Sequence, residues 1–384
     1  MIAVENNIRA PQKPNGVDSY SPEFRTNYRV SIYEVHAASW MRVPEENCRP
    51  LTGAELAPKL AEYANRLNFT HVSLLSGSDY STVFSPEELR QLIDCLHEHN
   101  LGVILDCRPS DASSDALTRL GADGWHNDNT ITLVEGDYHR ELSWDKDWSR
   151  DVLRYLGEDP ICRKFYHGEL SARAHCPHPD NFILALSHDE VTHGRKSLLS
   201  KMPGDDWQKF ANLRLLFASQ WAQPGGKLLF MGGEFGQQNE WNPGASLDWH
   251  LVQEGSRHLG LQKMITELNR LYQYEAALQE RGIEWGDCSE SDLSVISWLR
   301  RSAASGLILA VFNFTPVPRF NHRVGIASGG MWREIFNSDA SEYGGSGQGN
   351  LGGVEASPFG WKSHSHSLTV TLPPLGAVFF KATH

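Results

Sequence analysis

The 384-residue sequence has no apolar run long enough to span a bilayer. Its N-terminus also lacks the basic segment followed by an apolar core that marks a secretory signal. Basic residues are comparatively few, because 35 Lys and Arg stand against 47 Asp and Glu, for a formal net charge of −12. This balance argues against nucleic acid and anionic membranes as partners and leaves a neutral ligand open. We therefore expect a cytoplasmic protein.

Paired cysteine spacing is absent as well. The six cysteines lie scattered at Cys48, Cys95, Cys107, Cys162, Cys176 and Cys288. Such scatter favours free thiols in a reducing compartment over a disulfide framework. His175, Cys176 and His178 have the character of metal ligands. Two prolines interrupt them and no fourth partner is evident, so we expect a surface loop there, with no metal and no cofactor.

The first hundred residues alternate apolar strands with amphipathic helices. Strand patterns occupy 28–36, 70–76 and 101–107, and helical spacing occupies 53–66 and 86–100. The nearly continuous apolar run in 101–107 is typical of a strand buried on both faces of a parallel sheet. Strand, helix, strand, helix, strand is the order of an α/β barrel or a doubly wound sheet.

Residues 108–141 break this rhythm, since they are rich in Asp, Ser, Gly and Asn and predict no clear helix–strand pair. Alternation then resumes with strands at 141–145, 181–187 and 227–236 and helices at 147–157, 205–223 and 256–281. From about Gly282 short strands separated by Gly, Ser, Asn and Pro predict an all-β domain. We therefore divide the chain into an arm over 1–27, a barrel-type domain over 28–281 and an all-β domain over 282–384.

Several segments resemble the glycogen (1,4-α-glucan) branching enzymes of the α-amylase superfamily, in that family's order. They are SIYEVHAASWMR, NFTHVSLL, LGVILD, LSHDEVTHG, KMPGDDWQKFANLR, KLLFMGGEFGQ, SLDWH, NFTPVPR and EYGGSGQGNLGGVEA. The resemblance is dense from 142 to 384 and broken from 28 to 141. It implies a TIM-type (β/α) barrel followed by a β-sandwich, with an α-glucan such as glycogen or a maltooligosaccharide as ligand.

The family's chemistry is that of retaining enzymes with two carboxylates. An Asp attacks the sugar carbon, and a Glu about 5 Å away acts as acid and then as base. A third carboxylate and a neighbouring His hold sugar hydroxyls at the carboxyl face of the barrel. By motif, the resemblance implies that His188 and Asp189 bind substrate. It implies the same for Asp106, at the end of the third strand, and places Arg195 on that face.

The sequence departs from the family between Asp106 and Leu142. The strand of the form Asp-Gly-(Leu/Phe)-Arg-Xaa-Asp-Ala, which bears the nucleophile, is not found, nor is the Ala-Glu-(Glu/Asp)-Ser strand of the acid/base. Asp111 stands where the family has a histidine. About two strand–helix units are missing by this comparison. We therefore expect a reduced or irregular barrel, with six strands or an irregular closure, in which the strands ending at Asp106 and starting at Leu142 are neighbours.

No residue is assigned a catalytic role, and Asp189 and Asp106 are interpreted as remnants of the site. Losing a nucleophile or general acid commonly lowers a rate 10⁴-fold or more. We therefore predict a branching-enzyme-like protein of glycogen and α-glucan metabolism that binds glucan or a partner without catalysis. One alternative is an active branching enzyme or glycoside hydrolase with recruited carboxylates such as Asp145 or Asp147.

Another alternative is an interaction protein that has lost sugar binding altogether. If the barrel edges do not pair, they favour a homodimer or a complex with another glycogen enzyme. Glu234, in a glycine-rich turn, is expected to pack the barrel end.

Overall fold

The computed structural model describes residues 30–75, 84–107, 130–134, 143–172, 182–285 and 291–383. The predicted arm over 1–27 and the loop of His175, Cys176 and His178 lie outside these ranges. Within them, no helix is both long and apolar enough to cross a membrane. Cys48, Cys95 and Cys162 have free thiols, as predicted for them.

Seven strands form one parallel sheet in the first part of the chain. They are β1 Ser31–Val35, β4 His71–Leu74, β5 Gly102–Cys107, β6 Thr130–Val134, β7 Ser143–Trp144, β8 Phe182–Leu186 and β9 Gly226–Phe230, while β2 Arg42–Val43 and β3 Arg49–Pro50 make a small antiparallel pair. The strand order is β6-β5-β4-β1-β9-β8-β7. Among the described residues β6 pairs only with β5 and β7 only with β8, so this curled barrel stays open between them.

Helices surround this sheet. They are α1 Ala37–Trp40, α2 Gly53–Arg66, α3 Pro86–Glu98, α4 Lys146–Gly157, α5 His167–Ala172, α6 Leu198–Lys201, α7 Asp206–Ala222, α8 Arg257–Tyr274 and α9 Ala276–Gln279. Single 3₁₀ turns span Pro44–Glu46, Arg163–Phe165, His188–Val191, Gly233–Phe235, Trp249–Leu251, Ser291–Leu293 and Ser341–Tyr343. Capping boxes begin α2, α3 and α7, because in each the cap side chain accepts the third backbone N–H and the third side chain returns the bond. The helices predicted at 53–66 and 86–100 are thus confirmed.

Two faces of the parallel sheet are buried. On the inner face Ile32, Ile104, Ile183 and Leu228 pack into one small cluster. The other face contributes residues such as Tyr33 to the main core beneath the helices. Burial on both sides explains why the strand sequences are almost continuously apolar.

The sequence predicted no clear helix–strand pair in 108–141, and one strand there was therefore missed. Residues Thr130–Val134 form β6, which runs parallel to β5 with Asp106 opposite Leu133. Thr, Ile and Val favour the strand, and β5 supplies a complete row of hydrogen-bonding partners. The strands ending at Asp106 and starting near Leu142 are consequently not neighbours, since β6 takes the place beside β5. In the described part of the chain seven strands, not six, make this sheet.

The last hundred residues are all-β, as predicted. Their strands are β10 Ile283–Trp285, β11 Val295–Ser302, β12 Gly306–Asn313, β13 Arg319–Ile326, β14 Met331–Asn337, β15 Gly353–Glu355, β16 His366–Leu372 and β17 Gly376–Thr383. A six-stranded antiparallel sheet, β10-β11-β12-β17-β14-β15, faces the pair β13-β16. Val311 and Phe380 pack with Val324 and Leu368 between the two layers. The outer face of the larger sheet joins the main core beneath the barrel helices.

Buried arginines join this sandwich to the barrel. Arg300 on β11 donates from Nη1 to the carbonyl of Ala222, the last residue of α7, at 2.7 Å. Arg163 donates from Nη1 to the carbonyl of Phe314 at 2.9 Å. A buried guanidinium is costly unless its donors find acceptors, so these contacts fix how the two parts fit.

Candidate functional site

The candidate site lies at the carboxyl edge of the parallel sheet. Strands β1, β9, β8 and β7 are consecutive in that sheet, so the segments that follow them meet side by side. We call Glu34, Lys146, His188, Asp189 and Arg195 the His188 cluster, because these residues converge there.

Glu34 forms the floor of the His188 cluster. It lies near the end of β1 and is only 2% exposed. Its Oε2 accepts the backbone N–H of His188 at 2.8 Å, and its Oε1 lies 3.1 Å from Nδ1 of the same ring. One carboxylate therefore fixes both the start of the 3₁₀ turn after β8 and the orientation of the imidazole.

Asp189 lies at the rim of the cluster, half exposed. Lys146, the first residue of α4, donates from Nζ to Oδ2 of Asp189 at 2.9 Å. Nε2 of His188 lies 3.5 Å from the other oxygen, Oδ1. Partial burial acts to raise the pKa of Asp189, but the bond from Lys146 and the charges of His188 and Arg195 together hold that pKa below its usual value. Asp189 is therefore ionised at neutral pH.

The loop after the 3₁₀ turn brings Arg195 to the same place. Arg195 donates from Nη1 to the carbonyl of Asp189 at 3.1 Å. His193 and Lys196 adopt left-handed φ values of 55° and 65°, which turns the backbone N–H groups of this loop toward Glu240. The Glu240 carboxylate accepts the N–H of Gly194 at 2.7 Å and that of Lys196 at 2.8 Å. The loop thus has a defined conformation although its side chains are exposed.

Aromatic rings form the wall beside His188. The ring of Trp241 lies 6.4 Å from that of His188 and 5.1 Å from that of His36, centroid to centroid. Nε1 of Trp241 donates to Oγ of Ser39 at 2.9 Å, and Nδ1 of His36 lies 2.8 Å from the same oxygen. Burial, together with Arg42 and His188, lowers the pKa of His36. An apolar wall with ordered polar groups suits a ligand that has both ring faces and hydroxyls.

Glu234 does not belong to this cluster. It is fully buried after β9, where its Oε1 accepts the hydroxyls of Tyr33 at 2.9 Å and Tyr63 at 2.7 Å. Burial raises the pKa of Glu234 to about 7, in spite of these hydrogen bonds. The residue packs the end of the barrel, as the sequence indicated.

The structure brings together His188, Asp189 and Arg195 from the predicted binding set. Asp106 lies on β5, and three strands separate β5 from β8. Four strand spacings amount to about 19 Å along the sheet. The side chain of Asp106 is outside the described part of the chain, so its predicted role stays a prediction.

Sequence reasoning missed Glu34, Lys146 and Trp241. Glu34 carried a signal, because it is the one charged residue in the otherwise buried strand SIYEV. Lys146 carried none, since its partner Asp189 lies 43 residues away in sequence.

This chain is similar to known proteins in both its C-terminal sequence and its fold. Residues 285–383 match the family model described as the all-beta C-terminal domain of alpha amylase. Solved structures with a similar fold include a debranching enzyme from Nostoc punctiforme, with a TM-score of 0.62 over 92% of this chain and 98% of that one. AmyP in complex with maltose also has a TM-score of 0.62, over 96% of this chain and 100% of that one. Both are 11% identical to this chain, so they show an α-amylase-type fold alone.

Curated relatives are closer in sequence. The 1,4-alpha-glucan branching enzyme GlgB of Aquifex aeolicus is 37% identical, with 92% of this chain and 76% of that protein covered. GlgB of Aromatoleum aromaticum is 35% identical, with 91% and 75% covered. GlgB of Cellvibrio japonicus is 33% identical, and this chain spans 65% of its length.

The alignment with the Aquifex protein has more positions than it has residues of this chain. It runs over 481 positions, whereas 92% of 384 residues is about 353 residues. About 128 aligned positions, the difference between these lengths, therefore hold no residue of this chain. With more than a third of its aligned residues identical over three quarters of that relative, the chain belongs to the 1,4-α-glucan branching enzyme family of the α-amylase superfamily.

Proposed function

We propose that this branching-enzyme-like protein binds an α-glucan, glycogen or a maltooligosaccharide, at the His188 cluster and does not make or break glycosidic bonds. It would act in glycogen metabolism through glucan or partner binding. His188, Asp189 and Arg195 would hold sugar hydroxyls, with Asp106 contributing from β5. The proposal places no cofactor and no metal in the site.

The observation that carries the proposal is the difference in length between the alignment and the aligned chain. The 128 or so positions without a counterpart exceed two strand–helix units, since a barrel of eight units has about 250 residues. The motifs that would bear the nucleophile and the acid/base are also absent from the sequence. In the described part of the chain the outer edges of β6 and β7 carry no strand partner, which supports a gap between Asp106 and Leu142.

The state of Asp189 supports binding rather than proton transfer. A general acid must be protonated near neutral pH, which requires a raised pKa. Lys146, His188 and Arg195 act in the opposite direction and keep Asp189 ionised. An ionised carboxylate accepts hydrogen bonds from hydroxyls, and an adjacent guanidinium donates them.

Calorimetric titration with maltoheptaose, beside an amylose assay that follows the iodine colour, tests the proposal. We expect saturable binding that Asp189→Ala weakens, with no change in iodine colour over hours. The Aquifex aeolicus relative serves as positive control for the colour change. Turnover that Asp189→Ala abolishes would refute the proposal, and absence of binding to either glucan would refute its ligand.

The alternative, an active branching enzyme or glycoside hydrolase, needs recruited carboxylates. Asp145 is engaged as the cap of α4, because its Oδ1 accepts the N–H of Trp148 at 2.8 Å. Asp147 is 68% exposed and pairs with Arg150 at 2.8 Å. Both carboxylates are thus engaged by residues of α4 itself, which argues against recruitment.

A homodimer, or a complex with another glycogen enzyme, is our proposal for the protein partner. In the described ranges the outer edges of β6 and β7 carry no strand partner, and such edges favour pairing with another chain. Light scattering after size exclusion would give a mass twice that of the 43.1 kDa chain if the homodimer forms. A cytoplasmic location also stays a prediction.

A further inference from the structure

Glu34 is a buried carboxylate that neither the motif nor the proposed chemistry uses. Glutamate is almost never fully buried unless it is paired. Both of its oxygens face His188, one the backbone N–H at 2.8 Å and the other the ring Nδ1 at 3.1 Å. Its neighbours across the sheet, Ser73 on β4 and Phe230 on β9, are uncharged. The described contacts of the buried Glu34 carboxylate are thus made to one residue of the site, His188.

We infer that Glu34 is a positioning residue, which keeps a proton on Nδ1 of His188 and so directs Nε2 toward Asp189 and the ligand. The inference deepens the proposed function, because it names the residue that prepares the binding histidine. A carboxylate can only accept, so Nδ1 beside Glu34 must be the donor. Nε2, at 3.5 Å from Oδ1 of Asp189, is then the nitrogen presented to a sugar hydroxyl.

Two other titratable groups are described near the ring. Asp189 is on the Nε2 side of the ring. Burial, Arg42 and the charge of His188 lower the pKa of His36, whose own Nδ1 lies 2.8 Å from Oγ of Ser39. Phe230 and Trp241 cover the ring with apolar surface, 6.1 Å and 6.4 Å away between centroids. Glu34 is the carboxylate that lies at Nδ1 and can hold its proton there.

Nitrogen-15 NMR of imidazole-labelled full-length protein tests this directly. The signals of His188 are assigned as those that vanish in His188→Gln. We expect a proton on Nδ1 in the wild type at neutral pH. It should appear as a slowly exchanging proton signal that is coupled to the Nδ1 nitrogen. A wild-type ring with its only proton on Nε2 overturns the inference, whether or not Glu34→Gln folds.

The variant Glu34→Gln gives the second arm. Its amide replaces one acceptor by a donor, so we expect Nδ1 of His188 to lose its proton and the affinity for maltoheptaose to fall about tenfold. Glu190→Gln is the matched control, because it removes a charge from the same turn where the carboxylate contacts Ser149 at 3.0 Å. The control should keep both the Nδ1 proton and the affinity within twofold.

The two arms separate the two proposals. If the wild type binds no glucan while its Nδ1 proton is present, the proposed function fails and the tautomer assignment stands. If glucan binds and Glu34→Gln changes neither the tautomer nor the affinity, the positioning role of Glu34 is wrong. A folded Glu34→Gln protein is recognised by an unchanged far-ultraviolet circular dichroism spectrum.

Discussion

The C-terminal sandwich and the barrel-type sheet differ in the length and the pairing of their strands. In the sandwich β11, β12 and β17 have eight residues each and β14 has seven, all in antiparallel pairs. In the barrel the edge strands β7 and β6 have two and five residues. Antiparallel neighbours need only short turns, whereas each parallel neighbour needs a crossover unit. The described edge strands of the barrel are thus the short β6 and β7, whereas the central strands of the sandwich are long and paired on both sides.

The central strands of the barrel are paired on both sides. β1, β8 and β9 each have a neighbour on both sides and are buried along their whole length. The His188 cluster depends on these strands and on the segment after β7. The residues of the His188 cluster are thus brought together by strands that are adjacent in the sheet, without a contribution from the described edge at β6.

The largest expected effect comes from removing a buried ion pair that connects the barrel and the sandwich. Arg214 on α7 and Asp339 after β14 form an ion pair at 3.5 Å, and each is 1% exposed. Asp339→Ala leaves a buried guanidinium without its counter-charge, so we expect a loss of about 3–5 kcal/mol in the free energy of unfolding. Urea denaturation followed by tryptophan fluorescence measures it.

Two control variants sharpen this result. Glu267→Ala removes the half-exposed pair with Arg270 and should cost no more than about 1 kcal/mol. Replacing both Arg214 and Asp339 by apolar residues of similar size should recover most of the stability, because no charge is then left unpaired. A single Asp339→Ala variant as stable as the wild type would mean that the sandwich does not depend on this contact.

A pH series probes the packing of the intact barrel end. Burial raises the pKa of Glu234 to about 7 from an ordinary value of 4.5, so the folded state binds the proton more tightly than the unfolded state. Its contribution to stability is complete below pH 4.5 and is lost as the pH rises through 7. We expect the wild type to lose about 3 kcal/mol over this window relative to Glu234→Gln.

Thermal melts at intervals from pH 4.5 to 8 measure that difference. Glu254→Gln, at an exposed glutamate that is paired only loosely with Lys263, is the matched control. Parallel pH profiles for the wild type and Glu234→Gln would contradict the assignment of a protonated buried Glu234.

The sequence predicted most of the barrel, including the edge strand β7, and missed the other edge strand, β6, for a physical reason. Capping residues such as Ser85 and Glu88 act locally, so α3 could be placed from the sequence alone. Strand β6 is stabilised by pairing with β5, which local composition does not reveal. The motif located His188 and Asp189, but their partners Glu34 on β1 and Lys146 on α4 lie far away in the sequence. Contacts between segments that are distant in the sequence could therefore not be predicted from it.

The smallest expected effect comes from replacing Lys146, which belongs to the segment after the edge strand β7. Lys146 follows the edge strand β7, and its ammonium occupies one oxygen of Asp189. Exposed ion pairs contribute at most about 1 kcal/mol, so Lys146→Met should raise the affinity for maltoheptaose by no more than about fivefold. It should also let the pKa of Asp189 rise toward its usual value. Calorimetric titration measures the affinity, with Lys263→Met as the control, and a weaker affinity would instead make Lys146 a contact of the ligand.

The most direct measurement follows glucan and protein in one sample. Proton NMR of maltoheptaose or amylose mixed with the protein reports binding through line broadening and new branches through the anomeric signal of α-1,6 bonds. We predict broadening that Asp189→Ala reduces, with no α-1,6 signal and no shortened chains over a day, while the Aquifex aeolicus relative produces that signal. Growth of an α-1,6 signal with this protein alone would contradict the account.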